Sequence, residues 1–191
     1  AGADNLDGGD GNDTYRIDNS GDAITDLSGT DLVIATVDAT LGGMIENLTL
    51  TGAATTGTGN ALANVLRGNS AANTLHGLDG NDTLTGGAGL DTLVGGSGND
   101  SYIVERGDEI IIETSGTDTV TSTAHFTLSD GLERLILAGS AALNGTGNGV
   151  ANTILAGPGA NRLTGLAGND YLSGGAGNDT LIGGSENDTL I

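Results

Sequence analysis

Residues 77–103 read GLDGNDTLT, GGAGLDTLV and GGSGNDSYI, three nine-residue units that follow one another without a gap. Each has glycine at positions one and four, aspartate at six and a large apolar residue at eight. Two more units precede them in the same frame, 59–67 and 68–76, with Asn64 and Asn73 where the later units have aspartate. The frame continues beyond Ile103, placing Glu109 and Asp118 at six and Ile111 and Val120 at eight. Upstream it places Asp4, Asp13, Asp22 and Asp31 at six, with Leu6, Tyr15, Ile24 and Val33 at eight. It resumes at 147 and runs to 191.

Two stretches break the register, 35–58 and 122–146. They correspond to one another through a longer repeat of about 87 residues, which carries Asp13-Thr14-Tyr15 to Asp100-Ser101-Tyr102 and Glu46-Asn47-Leu48 to Glu133-Arg134-Leu135. The organisation is therefore nonapeptide units over 1–34, an irregular coil segment over 35–58, units over 59–121, a second irregular segment over 122–146, and units over 147–191. The expectation is one continuous solenoid cut from a longer array, since both ends fall inside or at the edge of a unit.

Composition narrows the reading. The chain has 191 residues, 36 of them glycine, and a formal charge of −20, with five arginines and no lysine. So acidic a surface repels nucleic acid and anionic membranes. Only Tyr15, Tyr102, Tyr171 and Phe126 are aromatic, which leaves little material for a thick core. The absence of cysteine excludes disulfide staples and thiolate metal sites, and His76 and His125 are the only imidazoles. No apolar run approaches the ~20 residues of a membrane-crossing helix, and no basic-then-apolar leader is present. A flexible glycine linker would not hold leucine at one repeat position, collagen needs glycine at every third residue, and a phosphate-binding loop needs a lysine.

A unit with one apolar position in nine cannot make a helix face. It can make a three-residue strand at positions seven to nine, with position eight inward and a glycine turn at one to six. Two units form one flattened coil, so stacked coils align Leu66, Leu84 and Tyr102 in one ladder and Leu75, Leu93 and Ile111 in the other. The predicted class is all-β, a parallel β-roll or β-solenoid. Stacking also forces the position-six acids into two rows, Asp82, Asp100 and Asp118 on one edge and Asp91 and Glu109 on the other. At ~5 Å two like charges repel by ~0.8 kcal/mol in water and ~3 kcal/mol at an effective dielectric of 20. A domain has only ~5 to 15 kcal/mol of stability in total, so bare rows oppose folding. A hard divalent cation reverses the sign, and carboxylates with glycine-turn carbonyls make an all-oxygen shell suited to Ca²⁺.

The units GGDGNDTYR (8–16), GGAGLDTLV (86–94) and GGAGNDTLI (174–182) resemble the nonapeptide G-G-x-G-x-D-x-U-x of the RTX family, the haemolysin-type calcium-binding repeats. That resemblance implies a parallel β-roll, with Ca²⁺ held by loop carbonyls and by position-six aspartates from loops two units apart. It also implies export by type I secretion machinery and folding outside the bacterial cell. The aspartate ligands it assigns are Asp4, Asp13, Asp82, Asp91, Asp100, Asp118, Asp170, Asp179 and Asp188. The carbonyl ligands are those of Gly9, Gly11, Gly80, Gly87, Gly89, Gly96, Gly98, Gly168, Gly175, Gly177 and Gly184. Departures from the pattern weaken or empty a site: Asn64, Asn73, Asn152 and Asn161 at six, Leu78 and Leu166 at two, Glu186 at four.

Other residues have structural readings. The position-six asparagines fit stacks of side-chain amides better than metal ligation. Asp22, Asp31, Glu109 and Asp118 lie in glycine-poor turns, where a solvated acid and a ligand fit equally well. Tyr15 and Tyr102 belong in the core, Tyr171 outside it and His76 on the surface. No nucleophile, base and oxyanion set is present, and His125 has no counterpart in the other long repeat, so no enzyme is expected. The function expected is a calcium-folded stabilising or spacer module. The alternatives are a polysaccharide- or surface-binding adhesin segment and the non-catalytic repeat domain of a secreted enzyme.

Overall fold

The computed structural model describes residues 2–191. They form 22 short strands and, among the described residues, no helix. The chain divides into two compact units, Ala1–Asp100 with Asp108–Thr114, and Ser101–Gly107 with Ser115–Ile191.

In the first unit, β1 (Asn5–Asp10) pairs with β3 (Ala23–Ser28). One parallel ladder runs β2 (Thr14–Ile17), β4 (Leu32–Ala35), β6 (Asn47–Leu50), β8 (Val65–Arg67) and β10 (Thr83–Thr85). The facing ladder runs β5 (Ala39–Thr40), β7 (Thr56–Thr58), β9 (Thr74–Asp79), β11 (Thr92–Ser97) and β13 (Ile110–Ile112). The second unit has β12 (Ser101–Val104), β14 (Thr119–Ser122), β16 (Arg134–Leu137), β18 (Thr153–Ala156), β20 (Tyr171–Ser173) and β22 (Thr189–Leu190) in one ladder. Its other ladder holds β15 (Phe126–Thr127), β17 (Asn144–Thr146), β19 (Arg162–Ala167) and β21 (Thr180–Ser185). Each unit is a parallel β-solenoid.

Register follows from the nine-residue period. Leu84 lies opposite Leu66, and Leu93 lies between Leu75 and Ile111, each pair 18 residues apart. Position eight points inward because neighbours along a strand face opposite sides, and Leu48, Leu66, Leu75, Leu84 and Leu93 are fully buried. Tyr15 and Tyr102 are buried with them, whereas Tyr171 faces outward.

The stretches that leave the nonapeptide frame stay in the ladders. Leu32 pairs with Asn47 and Thr119 with Arg134, so these two coils contain 15 residues instead of 18. Leu50 faces inward beside Leu48, as Ala35 does one coil earlier, and both leucines pack against Gly57. A Cβ on Gly57 would lie 2.9 Å from Leu48 and 3.1 Å from Leu75, closer than packed carbons allow. Gly145 is wedged in the same way against Leu135 and Leu137.

Candidate metal centre

Turns that keep the glycine pattern share one backbone form, left-handed at positions two and four. Gly9, Gly87, Gly96, Gly175 and Gly184 have it at position two, and Gly11, Gly80, Gly89, Gly98, Gly168 and Gly177 at position four. Leu78 (φ 82°), Leu166 (φ 85°) and Glu186 (φ 78°) adopt it against the steric preference of their side chains. The departures from glycine therefore leave the turn intact. Position one needs glycine for another reason: a Cβ on Gly77 would lie 2.2 Å from Asp82 Oδ2 and 2.6 Å from the Gly95 carbonyl oxygen. Gly165 stands in the same relation to Asp170 and to the Gly183 carbonyl.

The position-six carboxylate lies folded over this glycine, with its two oxygens doing different things. Oδ1 accepts the N–H of the position-six residue one coil earlier, as Asp31 does from Asp13, Asp82 from Asn64, and Asp170 from Asn152, all at 2.7 Å. Asp91, Asp179, Asp100 and Asp188 accept from Asn73, Asn161, Asp82 and Asp170. Position five works in the opposite direction, since Asn81 Oδ1 accepts the N–H of Asn99 at 2.7 Å, one coil later. An Asn-Asp pair thus ties its turn to both neighbours. Oδ2 of Asp13, Asp31, Asp82 and Asp170 is shielded from solvent with no hydrogen-bond partner.

A shielded carboxylate oxygen without a donor is costly. Burial, followed by the charge of Asp100, pushes Asp82 up to about 6, although the bond from Asn64 opposes the shift. Asp31, Asp100 and Asp170 are raised as well, burial being the leading cause in each. A row of buried carboxylate oxygens beside turn carbonyls suits a hard cation with oxygen ligands, and the wide turn fits Ca²⁺ better than a tight octahedral ion. The RTX calcium-binding nonapeptide repeat profile matches the chain four times, over residues 1–16, 58–93, 67–102 and 146–190, more than half of its length. The chain belongs to the RTX calcium-binding repeat family. No curated protein matches it.

RTX turns with aspartate at position six differ in how they are built. Asp82, Asp91, Asp100, Asp118 and Asp170 are buried, Asp13, Asp179 and Asp188 are half-buried, and Asp4 is exposed. Asp31 and Asp118 are fully buried, so the solvated reading does not hold for them. Glycine-poor turns still lie under the next coil. Asp22 uses both oxygens locally, Oδ1 for the N–H of Asp4 and Oδ2 for those of Asp18 and Asn19, which lowers its pKa.

The asparagine turns form a second class. Asn60, Leu62, Asn69, Ala71, Asn148 and Val150, at positions two and four, are outside the left-handed region. Asn64 Nδ2 donates to the carbonyls of Ile45 (3.3 Å) and Glu46 (3.2 Å), and Asn60 Nδ2 to those of Gly42 (2.6 Å) and Ile45 (2.7 Å). Asn73 with Asn69, and Asn152 with Asn148, repeat the arrangement. The amides therefore do not stack as a side-chain ladder. They donate to the main chain, filling with N–H groups the space where the aspartate turns present bare oxygens.

Three acids escaped the nonapeptide reading. Glu46 and Glu133 hold position six of the short coils, accepting the N–H of Asp31 and Asp118 at 2.9 Å. Their recurrence 87 residues apart was the available signal. Asp26, at position one, has ligand atoms within 4.8 Å of those of Asp13 and Asp31. His125 is exposed, with Nδ1 accepting the N–H of Asn144 at 2.8 Å, and Asp38, 87 residues earlier, does the same for Thr56. His76 is half-buried on β9.

Proposed function

We propose that this chain is a calcium-dependent folding and spacer module of a larger secreted bacterial protein, exported through type I secretion machinery and ordered outside the cell. The ligands are the position-six aspartates Asp13, Asp82, Asp91, Asp100, Asp118, Asp170, Asp179 and Asp188, with weaker participation by the exposed Asp4. Carbonyls of the left-handed turn glycines supply further oxygens. The observation that supports this reading is the shielded, partnerless Oδ2 that recurs at Asp13 and Asp82 in the first unit and at Asp170 in the second. In a low-calcium cytoplasm the rows repel and the chain stays extended; in calcium the same rows become binding sites.

An ion at ten times its dissociation constant adds about 1.4 kcal/mol per site. About half a dozen such sites supply the stability of a typical domain. No chemistry is assigned to the segment, whose repeat fold is non-catalytic, and among the described residues no helix is long and apolar enough to cross a membrane. Equilibrium dialysis against calcium, with the hydrodynamic radius measured on the same samples, tests the proposal. Uptake of several ions with compaction supports it, and uptake without compaction contradicts it.

A further inference from the structure

The unit beginning at Asp26 departs from the nonapeptide at the position where a side chain is least expected. In regular units a Cβ at position one would strike the position-six carboxylate, as at Gly77 and Gly165. Asp26 places a carboxylate there instead, which converges on the aspartates of two successive turns: oxygens of Asp13, Asp26 and Asp31 all lie within 4.8 Å of one another. Asp31 is fully buried, and its Oδ1 is engaged by the N–H of Asp13 at 2.7 Å. Oδ2 of each of the three is shielded without a hydrogen-bond partner. Tyr15, a buried residue at position eight, donates its hydroxyl to Asp26 Oδ1 at 2.5 Å and so aims the other oxygen of Asp26 at the cluster.

We propose that Asp13, Asp26 and Asp31 form a three-carboxylate cation site, held in place by Tyr15, that binds calcium more tightly than the regular turns of the first unit. Affinity in oxygen-ligand calcium sites rises with the number of charged ligands and the rigidity of the site. This site has one carboxylate more than the nonapeptide supplies and a hydroxyl fixing its geometry. The proposal rests on the reading of the chain as a calcium-folded module. It adds that Asp26, outside the family pattern, is a ligand.

Terbium is the probe, because it takes the same oxygen ligands and its luminescence is excited through a nearby tyrosine. The chain has three tyrosines and no tryptophan, and the emission lost on Tyr15→Phe is the component belonging to this site. Asp26→Asn keeps the acceptor for Tyr15 and removes the charge. Asp26→Gly installs the residue that regular units carry at position one, so the coil can form without the third carboxylate. Both variants are expected to keep the far-ultraviolet β signal in saturating calcium and to weaken the Tyr15-dependent terbium midpoint by about tenfold or more. An unchanged midpoint in either variant, or a wild-type protein with no Tyr15-dependent emission, overturns the site; three acids sharing a proton with no ion would give the latter. Failure of calcium to order the wild-type chain would count against the folding module alone, since the terbium comparison reads the site directly.

Discussion

Asp82 ties its coil to the one before it: Oδ1 accepts the backbone N–H of Asn64 at 2.7 Å, while Oδ2 is buried with no donor. One carboxylate is thus half structural and half available, and the available half is what the solution behaviour reports.

Without a cation the pKa of Asp82 is about 6, against an ordinary 3.8. Between those values the folded chain holds a proton that the unfolded chain has released, so the contribution of Asp82 to metal-free stability is fully present below about pH 4 and is lost as pH rises through about 6. Asp31, Asp100 and Asp170 are displaced in the same direction. Calcium must expel this proton, so its apparent affinity is expected to weaken as pH drops below about 6. Titrations at pH 7.5 and pH 5 check this; equal midpoints would mean that these carboxyl groups are not the ligands.

Aspartate and asparagine turns should respond differently to truncation. Asp82→Ala removes a carboxylate facing the turn and should raise the calcium midpoint several-fold. Asn73→Ala removes no charge but takes away the acceptor of the Asn69 N–H at 2.7 Å and one of the two amides on the Ala54 carbonyl, which keeps Asn69 Nδ2. It should lower thermal stability by about 1 to 3 kcal/mol while leaving the calcium midpoint within about twofold. Paired melting and calcium titrations of the two variants decide the matter, and an Asn73→Ala midpoint shift as large as that of Asp82→Ala would place a ligand at the wrong residue.

Leu78 sits at φ 82° with its side chain half exposed. A left-handed conformation costs a non-glycine residue about 1 to 2 kcal/mol, partly offset by the extra freedom glycine has in the unfolded chain. Leu78→Gly is therefore expected to raise stability by up to about 1 kcal/mol in saturating calcium. A loss of stability would show that the Leu78 side chain packs to a purpose that its exposure hides.

The nine-residue frame made the two inward ladders legible, Leu66 with Leu84 and Leu75 with Leu93, together with the position-six rows, because strand alternation and coil stacking both act at fixed spacing. What escaped it breaks that spacing or acts across coils. Glu46 reaches position six only because its coil is three residues short, and Asp26 joins Asp13 and Asp31 from a position where the pattern expects glycine. In sequence Asn64 fits a stack of side-chain amides, and Asn60 carries no signal of its own. Only the direction of their amides, toward the carbonyls of Gly42, Ile45 and Glu46, shows that those turns are sealed by hydrogen bonds.

The central claim is that neutralising the buried carboxylate rows is what allows the coils to stack. It is tested most directly by far-ultraviolet circular dichroism of the chain titrated with Ca²⁺ at neutral pH, alongside samples in excess chelator and in equal Mg²⁺. The account predicts a largely disordered spectrum in chelator, a cooperative gain of β signal by about 1 mM Ca²⁺, and little gain in Mg²⁺, whose small octahedral shell the wide turns do not match. The same β spectrum in excess chelator would contradict it.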